Sequence, residues 1–218
     1  MDFNKIYNEL IKYKNESESL KMSSYMLNQF SNIGIRTPER RKLLRNIFKE
    51  GKKERKVDWK FIDECWENEY RELQYSALDY INEMKEFLTY DDIPKLKKYI
   101  VWKSWWDTID SLDKIVGAIA LNYPEVNATL LEWSQDDNFW LRRVAIDHQL
   151  LRKEKTNKEL MEKILINNLN QKEFFINKAI GWALRDYSKT NPEWVRTFIE
   201  NNKEKMSKLS IKEGSKYI

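Results

Sequence analysis

The sequence predicts an all-α protein built from stacked helical repeats, an α-solenoid. Two observations carry this prediction. Apolar residues recur at intervals of three and four along the chain, as in Leu43, Leu44, Ile47 and Phe48, which is the spacing of one face of an α-helix. In addition, a short pattern recurs at one fixed interval, and repeats of that length are typical of helical hairpins that stack on their neighbours.

The recurring pattern is a small residue followed by Leu or Ile. Its copies are Ala77-Leu78-Asp79, Ser111-Leu112-Asp113, Ala145-Ile146-Asp147 and Ala179-Ile180-Gly181, and each begins 34 residues after the one before it: 111−77, 145−111 and 179−145. Small residues allow helices to approach closely, so we expect these segments to form the buried seam of each repeat. Tetratricopeptide repeats share this period, but their Trp, Leu-Gly and Tyr pattern is missing, which favours irregular HEAT-like repeats.

Helix starts can be predicted at three places. Thr37-Pro38-Glu39 and Asn191-Pro192-Glu193 each put a capping side chain before a Pro at the first helical position, with an acid in the first turn. Ser104 followed by Asp107 resembles a capping box, so Asp107 is expected to be an acid of the helix start. The whole chain, residues 1–218, is expected to form a single domain.

Composition excludes several classes of function. Cys65 and His148 are the only residues of their types, so no intramolecular disulfide can form and no zinc, iron or thiol chemistry is expected. The five glycines leave little room for a Gly-rich phosphate loop. A magnesium site made only of carboxylates stays possible, but no spacing in the sequence indicates one. We therefore expect neither a metal nor a cofactor.

Charge and hydropathy give expectations about partners and location. The 39 Lys and Arg exceed the 35 Asp and Glu by four, which is compatible with binding a polyanion if the basic residues gather on one face. No apolar run approaches the ~18 residues that a membrane span requires, and the acidic start is not typical of a signal peptide. We therefore expect a cytoplasmic protein with no membrane contact.

The repeat alignment predicts a stripe of residues along the inner helices. Counted from the small residue, positions −5, −1 and +3 are four apart and share one helix face. The stripe contains Trp106, Asp110 and Lys114 in one repeat, and Lys178 and Trp182 two repeats later. An indole beside a carboxylate suits a cation, because the ring face and the anion both attract positive charge.

Asp110 differs from the other acids of the repeat. Asp113 recurs as Asp79 and Asp147, as expected of a structural acid that pairs or caps between repeats, whereas Asp110 has no counterpart. A carboxylate that occurs once on the stripe is better explained by function than by scaffold. His148 also lies on the stripe, but a lone histidine is more often a structural residue with a hydrogen bond. The tail 203–218 is compatible with either a final helix or a frayed end.

Four stretches resemble a known family, the HEAT-like-repeat alkylpurine DNA glycosylases of the AlkD type. They are residues 34–41, 104–110, 140–143 and 174–187; they follow the family's order over most of the chain, and the second and fourth are long and specific. The resemblance implies a helical-repeat fold with a basic concave groove for duplex DNA. It also implies excision of cationic N3- and N7-alkylated purines, such as 3-methyladenine and 7-methylguanine, without base flipping.

The resemblance also implies roles for individual residues. The family's catalytic aspartate falls on Asp110, and its two lesion-flanking tryptophans fall on Trp106 and Trp182. The expected DNA contacts are Arg143, Arg185, Lys178 and Lys114. Arg142 stays a rival for the role of Arg143, because the spacing from Asp110 differs slightly from the family pattern.

Two other interpretations stay open at the level of sequence. A related helical-repeat protein can bind damaged or branched DNA without cutting it, which requires basic residues but not Asp110. A helical scaffold with an aromatic groove can instead hold a protein partner, and its binding would be indifferent to salt and DNA. The enzyme interpretation is favoured because Asp110 occurs together with both tryptophans. A monomer is expected, since the groove must admit a duplex.

Overall fold

The computed structural model describes all 218 residues. It contains thirteen α-helices and no β-strand, with one isolated bridge between Ser31 and Tyr70. The predicted all-α repeat fold is confirmed. The helices form two compact units, Met1–Leu88 and Thr89–Ile218; the single domain expected over residues 1–218 stays a prediction.

The first unit contains five α-helices and ends in a short 3-10 turn. The helices are α1 (Phe3–Ile11), α2 (Glu16–Tyr25), α3 (Thr37–Lys52), α4 (Trp59–Glu67) and α5 (Arg71–Glu83), and the turn is Lys85–Phe87. The second unit contains eight α-helices and two 3-10 turns. The helices are α6 (Ile93–Val101), α7 (Trp106–Asn122), α8 (Val126–Trp133), α9 (Phe139–Asp147), α10 (Lys158–Asn167), α11 (Phe174–Ser188), α12 (Pro192–Asn202) and α13 (Lys208–Gly214), and the turns are Tyr90–Asp92 and Lys153–Lys155.

The repeated segments lie inside α5, α7, α9 and α11. Their small and aliphatic residues are buried, with Ala145 and Ala179 fully so, and only Ser111 is half-buried. In the second unit α9 packs against both α7 and α11. The expected buried seam is therefore present, and burial of each large aliphatic side chain along it favours folding by roughly 1.5–3 kcal/mol.

The predicted helix starts are confirmed at one place and shifted at another. Asn191 caps α12, and its side chain accepts a hydrogen bond from the Trp194 amide at 3.1 Å. Thr37 is not the cap of α3, because the helix already includes it and the cap is Arg36, which makes no side-chain capping bond. Proline in the first turn is still accommodated, since no carbonyl would accept its missing N–H there.

The chain ends in a helix that is packed closely on α11. A Cβ atom at Gly181 would lie 2.5 Å from the Cβ of Glu213 and 3.3 Å from the carbonyl oxygen of Ser210. Only glycine permits this approach of α13 to α11. The Ser210 hydroxyl then donates a 2.8 Å hydrogen bond to the carbonyl of Asn177. The tail is therefore a docked helix, and it brings Glu213 beside α11.

No helix combines the length and the apolar character that a membrane span requires.

Candidate active site

Asp110 on α7 is held by Arg143 on α9. The Nη2 and Nε atoms of Arg143 donate to the same oxygen of Asp110, Oδ1, at 2.7 and 3.2 Å. The other oxygen, Oδ2, accepts no hydrogen bond in this structure, and the Asp110 side chain is 21% exposed. The carboxylate is thus fixed through one oxygen while the other stays available.

Arg143 is buried between helices. It is 1% exposed, its Nη1 donates to the carbonyl of Phe175 at 2.7 Å, and its Nη2 lies 3.6 Å from Oδ2 of Asp147. Burial opposes its charge, but the carboxylates of Asp147 and Asp110 outweigh burial and raise the pKa of Arg143. The guanidinium is therefore committed to protein acceptors on α7, α9 and α11, and its contact with DNA stays a prediction.

Of the two rival arginines, Arg143 is the one that reaches Asp110. Arg142 is half-buried, and its Nε atom is buried without a hydrogen-bond partner. Neighbouring residues on a helix point about 100° apart, so only one of the two can face α7.

Trp182 on α11 lies among three cations. Its ring centroid is 5.2 Å from Cζ of Arg143, 5.8 Å from Nζ of Lys178 and 5.9 Å from Cζ of Arg185. Each distance is within the range of a cation–π contact. Because Arg143 also holds Asp110, a continuous set of contacts joins Asp110, Arg143 and Trp182.

Glu213 of α13 pairs with two of the predicted DNA contacts. Its two carboxylate oxygens lie 2.8 Å from Lys178 Nζ and 2.8 Å from Arg185 Nη1. The hydrogen bond from Lys178 and the charge of both cations lower the pKa of Glu213. Lys114 of α7 differs from this pair, since it is exposed and makes no ion pair. No sequence pattern indicates this role of Glu213, because it depends on how α13 docks.

Trp106 is the first residue of α7 and lies one turn before Asp110. The capping box predicted at Ser104 is wrong: Trp105 is the cap, and the Ser104 hydroxyl instead donates to the carbonyl of Ile100 in α6 at 2.6 Å. The competing acceptor is the end of α6, where carbonyls lack helical partners. Asp107 is an acid of the first turn, as predicted.

An aromatic cluster that the sequence did not predict supports the start of α7. The ring of Trp105 packs edge-on against Trp140, with centroids 6.1 Å apart, and against Phe175 at 5.4 Å. Trp140 and Phe175 are themselves in contact, at 4.8 Å. The first turns of α7, α9 and α11 are thereby joined, which fixes the segment that carries Trp106.

The predicted stripe is interrupted on α9. Trp140, Val144 and His148 occupy its three positions there and are all buried. The Nδ1 atom of His148 donates to the carbonyl of Ala145 at 2.6 Å, and burial lowers the pKa of His148 to about 3, so the ring is neutral. These observations agree with the structural role that was favoured for His148.

Two buried carboxyl groups lie beside Asp110. Asp113 and Asp147 are each 1% exposed, and carboxylate oxygens of all three residues lie within 4.8 Å of one another. Burial and the nearby Asp147 and Asp110 raise the pKa of Asp113 well above its ordinary value. Burial also raises the pKa of Asp147, to about 7, against the opposing charge of Arg143.

The sequence identified Asp113 and Asp147 as structural acids but not as neighbours of Asp110. The proximity of Asp147 to Arg143 could have been found from their spacing, because residues four apart on one helix are neighbours. Three carboxylates this close are oxygen donors of the kind that divalent cations bind. Here Arg143 already supplies a positive charge to Asp110 and Asp147, and the raised pKa of Asp113 favours its neutral form. Both features weaken the attraction of the cluster for a divalent cation.

Comparisons with known proteins agree with this arrangement. A family model described as DNA alkylation repair enzyme matches residues 6–218. Among solved structures, the chain is similar to a predicted DNA alkylation repair enzyme from Enterococcus faecalis, with 37% sequence identity and a TM-score of 0.86 over 94% of this chain and 96% of that one. No curated protein matches the chain. The chain belongs to the DNA alkylation repair enzyme family.

Proposed function

We propose that this protein is an alkylpurine DNA glycosylase that excises cationic N3- and N7-alkylated purines from duplex DNA. The bond between C1′ of the sugar and N9 of the purine breaks, and its electron pair neutralises the alkylated base. A water molecule then adds its oxygen to C1′ and releases a proton, which leaves an abasic site. Because the base is already cationic, it leaves without being protonated by an acid.

The observation that carries the proposal is the geometry of Asp110. Its Oδ1 is fixed by two hydrogen bonds from Arg143 and its Oδ2 accepts none, so an anion is held in place with one oxygen free to face the reacting sugar. A preorganised charge of this kind stabilises a transition state without reorganising, and such interactions are worth about 2.7–4 kcal/mol. Asp110 would stabilise the developing positive charge on the sugar and orient the water.

Trp106 and Trp182 are proposed to flank the lesion. Trp106 lies one helical turn before Asp110, and Trp182 reaches Asp110 through Arg143. Ring faces attract positive charge by roughly 0.5–2 kcal/mol each. The indoles would contact the deoxyribose and the cationic nucleotide, which fits excision without a pocket for a flipped base.

The basic residues around this site are proposed to hold DNA phosphates. Lys114 is exposed and unpaired, whereas Lys178 and Arg185 are about a quarter exposed and share the carboxylate of Glu213. Lysine and arginine that neutralise phosphates release counterions, so binding should weaken as salt rises. The protein would act as a monomer on DNA, without metal or cofactor.

The test is release of free base from a duplex that carries one 7-methylguanine, with the wild type and Asp110→Asn compared at the same low salt. We expect the wild type to release the base and leave an abasic site, and the variant to be slower by about 100-fold or more while it still binds the duplex. If both proteins bind DNA and neither releases base, the glycosylase proposal fails and a non-cutting DNA-binding function takes its place.

A further inference from the structure

The pair formed by Asp110 and Arg143 presents a difficulty for the proposed chemistry. A carboxylate and a guanidinium 2.7 Å apart neutralise each other, and a neutral pair attracts a developing cation much less than a lone carboxylate does. Because Arg143 is buried, water screens this neutralisation only weakly. A further negative charge nearby would restore the attraction of the site for a cation.

Asp147 is placed to supply that charge. It lies one turn after Arg143 on α9, and the same Nη2 atom that donates to Asp110 is 3.6 Å from Asp147 Oδ2. Neither oxygen of Asp147 has a hydrogen-bond partner, so Arg143 is its main source of stabilisation. One guanidinium therefore serves two carboxylates, and with both ionised the three groups carry a net charge of −1.

The other groups that face Asp147 include one exposed cation, whose charge water screens more than that of buried Arg143. On α7, burial and the adjacent acids raise the pKa of Asp113 and favour its neutral form, while the positive charge of exposed Lys114 lowers the pKa of Asp147. On α9, His148 is neutral. Helices α6, α8, α10 and α11 also pack against α9, yet none brings a charged group that shifts the pKa of Asp147.

We infer that Asp147 is a positioning residue for the proposed excision: by sharing Arg143 with Asp110 it keeps the anchored carboxylate from being neutralised. This inference rests on the proposed function, since it concerns how Asp110 works. Asp147 is fully buried and does not touch the substrate. It acts through Arg143 in two ways. It attracts the guanidinium away from Asp110, and its own charge leaves the three groups with a net negative charge.

The charge of the site depends on pH through Asp147. With a pKa near 7, Asp147 is protonated in slightly acidic solution, and the site is then neutral. As pH rises through about 7, Asp147 ionises and the site gains a negative charge. One additional charge at roughly 10 Å in a medium of effective dielectric constant about 20 changes a rate by about tenfold. Base release should therefore accelerate as pH rises through about 7.

The experiment is a set of single-turnover rates of 7-methylguanine release from duplex DNA, from about pH 5.5 to about pH 8.5 at constant salt. The non-enzymatic loss of base from the same duplex is subtracted at each pH. The wild type should show the rise, and Asp147→Asn should show a flat profile with a rate about tenfold lower at the alkaline end. Asp79→Asn, which changes the acid at the same repeat position in the first unit, should keep the profile.

The outcomes separate the inference from the proposed function. No base release by the wild type at any pH overturns the proposed function. If the wild type releases base at a rate that does not change with pH, the inference alone is overturned. This outcome is measured on the wild type and does not require the variant to fold. An Asp147→Asn protein that folds, as judged by circular dichroism, and keeps the rise of the wild type also overturns the inference.

Discussion

Two acids occupy the same position of the repeat, Asp79 in the first unit and Asp147 in the second, but they differ in the number of arginines available to each. Asp79 accepts hydrogen bonds from two arginines, Arg40 at 2.8 Å and Arg41 at 2.9 Å. Asp147 instead shares its one arginine, Arg143, with a second acid. The first cluster has two cations for one anion, and the second has one cation for two anions.

The candidate active site also differs from the first cluster at position −1 of the repeat. In the first unit it is Ser76, whose hydroxyl donates to the carbonyl of Glu72 in its own helix at 2.7 Å. In the repeat that begins at Ser111 it is Asp110, which reaches Arg143 on α9, whereas the repeat of Asp147 itself has Val144 there. The repeat thus supplies an acid in both units, and the non-repeated Asp110 adds a second carboxylate to the cluster around Arg143.

The largest expected effect comes from replacing the buried arginine. Arg143→Met leaves the carboxylates of Asp110 and Asp147 and the carbonyl of Phe175 without their donor, which should lower the free energy of unfolding by about 3–5 kcal/mol. Arg41→Met, at a side chain 62% exposed, should lower it by less than about 1 kcal/mol. Urea denaturation measures both. Equal losses in the two variants would show that Arg143 has no special structural role.

Asp113→Asn should stabilise the protein at neutral and alkaline pH. The pKa of Asp113 is raised in the folded state, so above about pH 4 the native protein binds a proton that the unfolded chain has lost, and stability falls as pH rises. Asparagine removes that penalty. The advantage of the variant over the wild type should grow by about 1.4 kcal/mol per pH unit while folded Asp113 stays protonated.

The control for Asp113→Asn is Asp79→Asn. This variant removes bonds to Arg40 and Arg41 and should destabilise the protein by about 1–3 kcal/mol. Urea denaturation at several pH values measures both variants. A stability difference between Asp113→Asn and the wild type that does not change with pH would mean that Asp113 is ionised in the folded protein.

Lys114→Gln should weaken DNA binding without slowing the chemistry. Lys114 is exposed and makes no ion pair, so it can meet a phosphate without first losing a partner. We expect the slope of log affinity against log salt to decrease by roughly one. Fluorescence anisotropy over a salt series measures the slope, and base release at saturating protein measures the rate. An unchanged slope would remove Lys114 from the DNA contacts.

Glu213→Gln should have the smallest effect, with the opposite sign. Glu213 neutralises part of the charge of Lys178 and Arg185, so its removal should raise affinity for DNA by roughly two- to fivefold at low salt and steepen the salt dependence. The same anisotropy series measures this. Weaker binding by the variant would mean that Glu213 holds the two cations in place for DNA instead of competing with it.

Local and periodic features of the fold could be predicted from the sequence. The 34-residue interval located α5, α7, α9 and α11, because close packing demands small residues at regular places. Asp110 could be identified as a candidate because no other repeat has an acid at the equivalent position. The start of α12 followed from Asn191, whose capping bond is local. These predictions depend on neighbours within a turn or on the repeat itself.

Features that depend on contacts between helices could not be predicted. Ser104 failed as a cap because a carbonyl of α6 competes for its hydroxyl. The resemblance predicts a DNA contact at Arg143, whose burial depends on the packing of α7 and α11 against α9. Glu213 lies 35 residues after Lys178 and 28 after Arg185, and only the docking of α13 brings them together.

The most direct test of the account compares the two acids, with Asp110→Asn and Asp79→Asn measured side by side. Single-turnover release of 7-methylguanine from duplex DNA is measured at saturating protein, after both variants are shown to fold and bind. The account predicts that Asp110→Asn loses about 100-fold or more in rate and that Asp79→Asn keeps the rate of the wild type. Equal rates in the two variants would contradict it, because the carboxylate anchored by Arg143 would then have no part in the reaction.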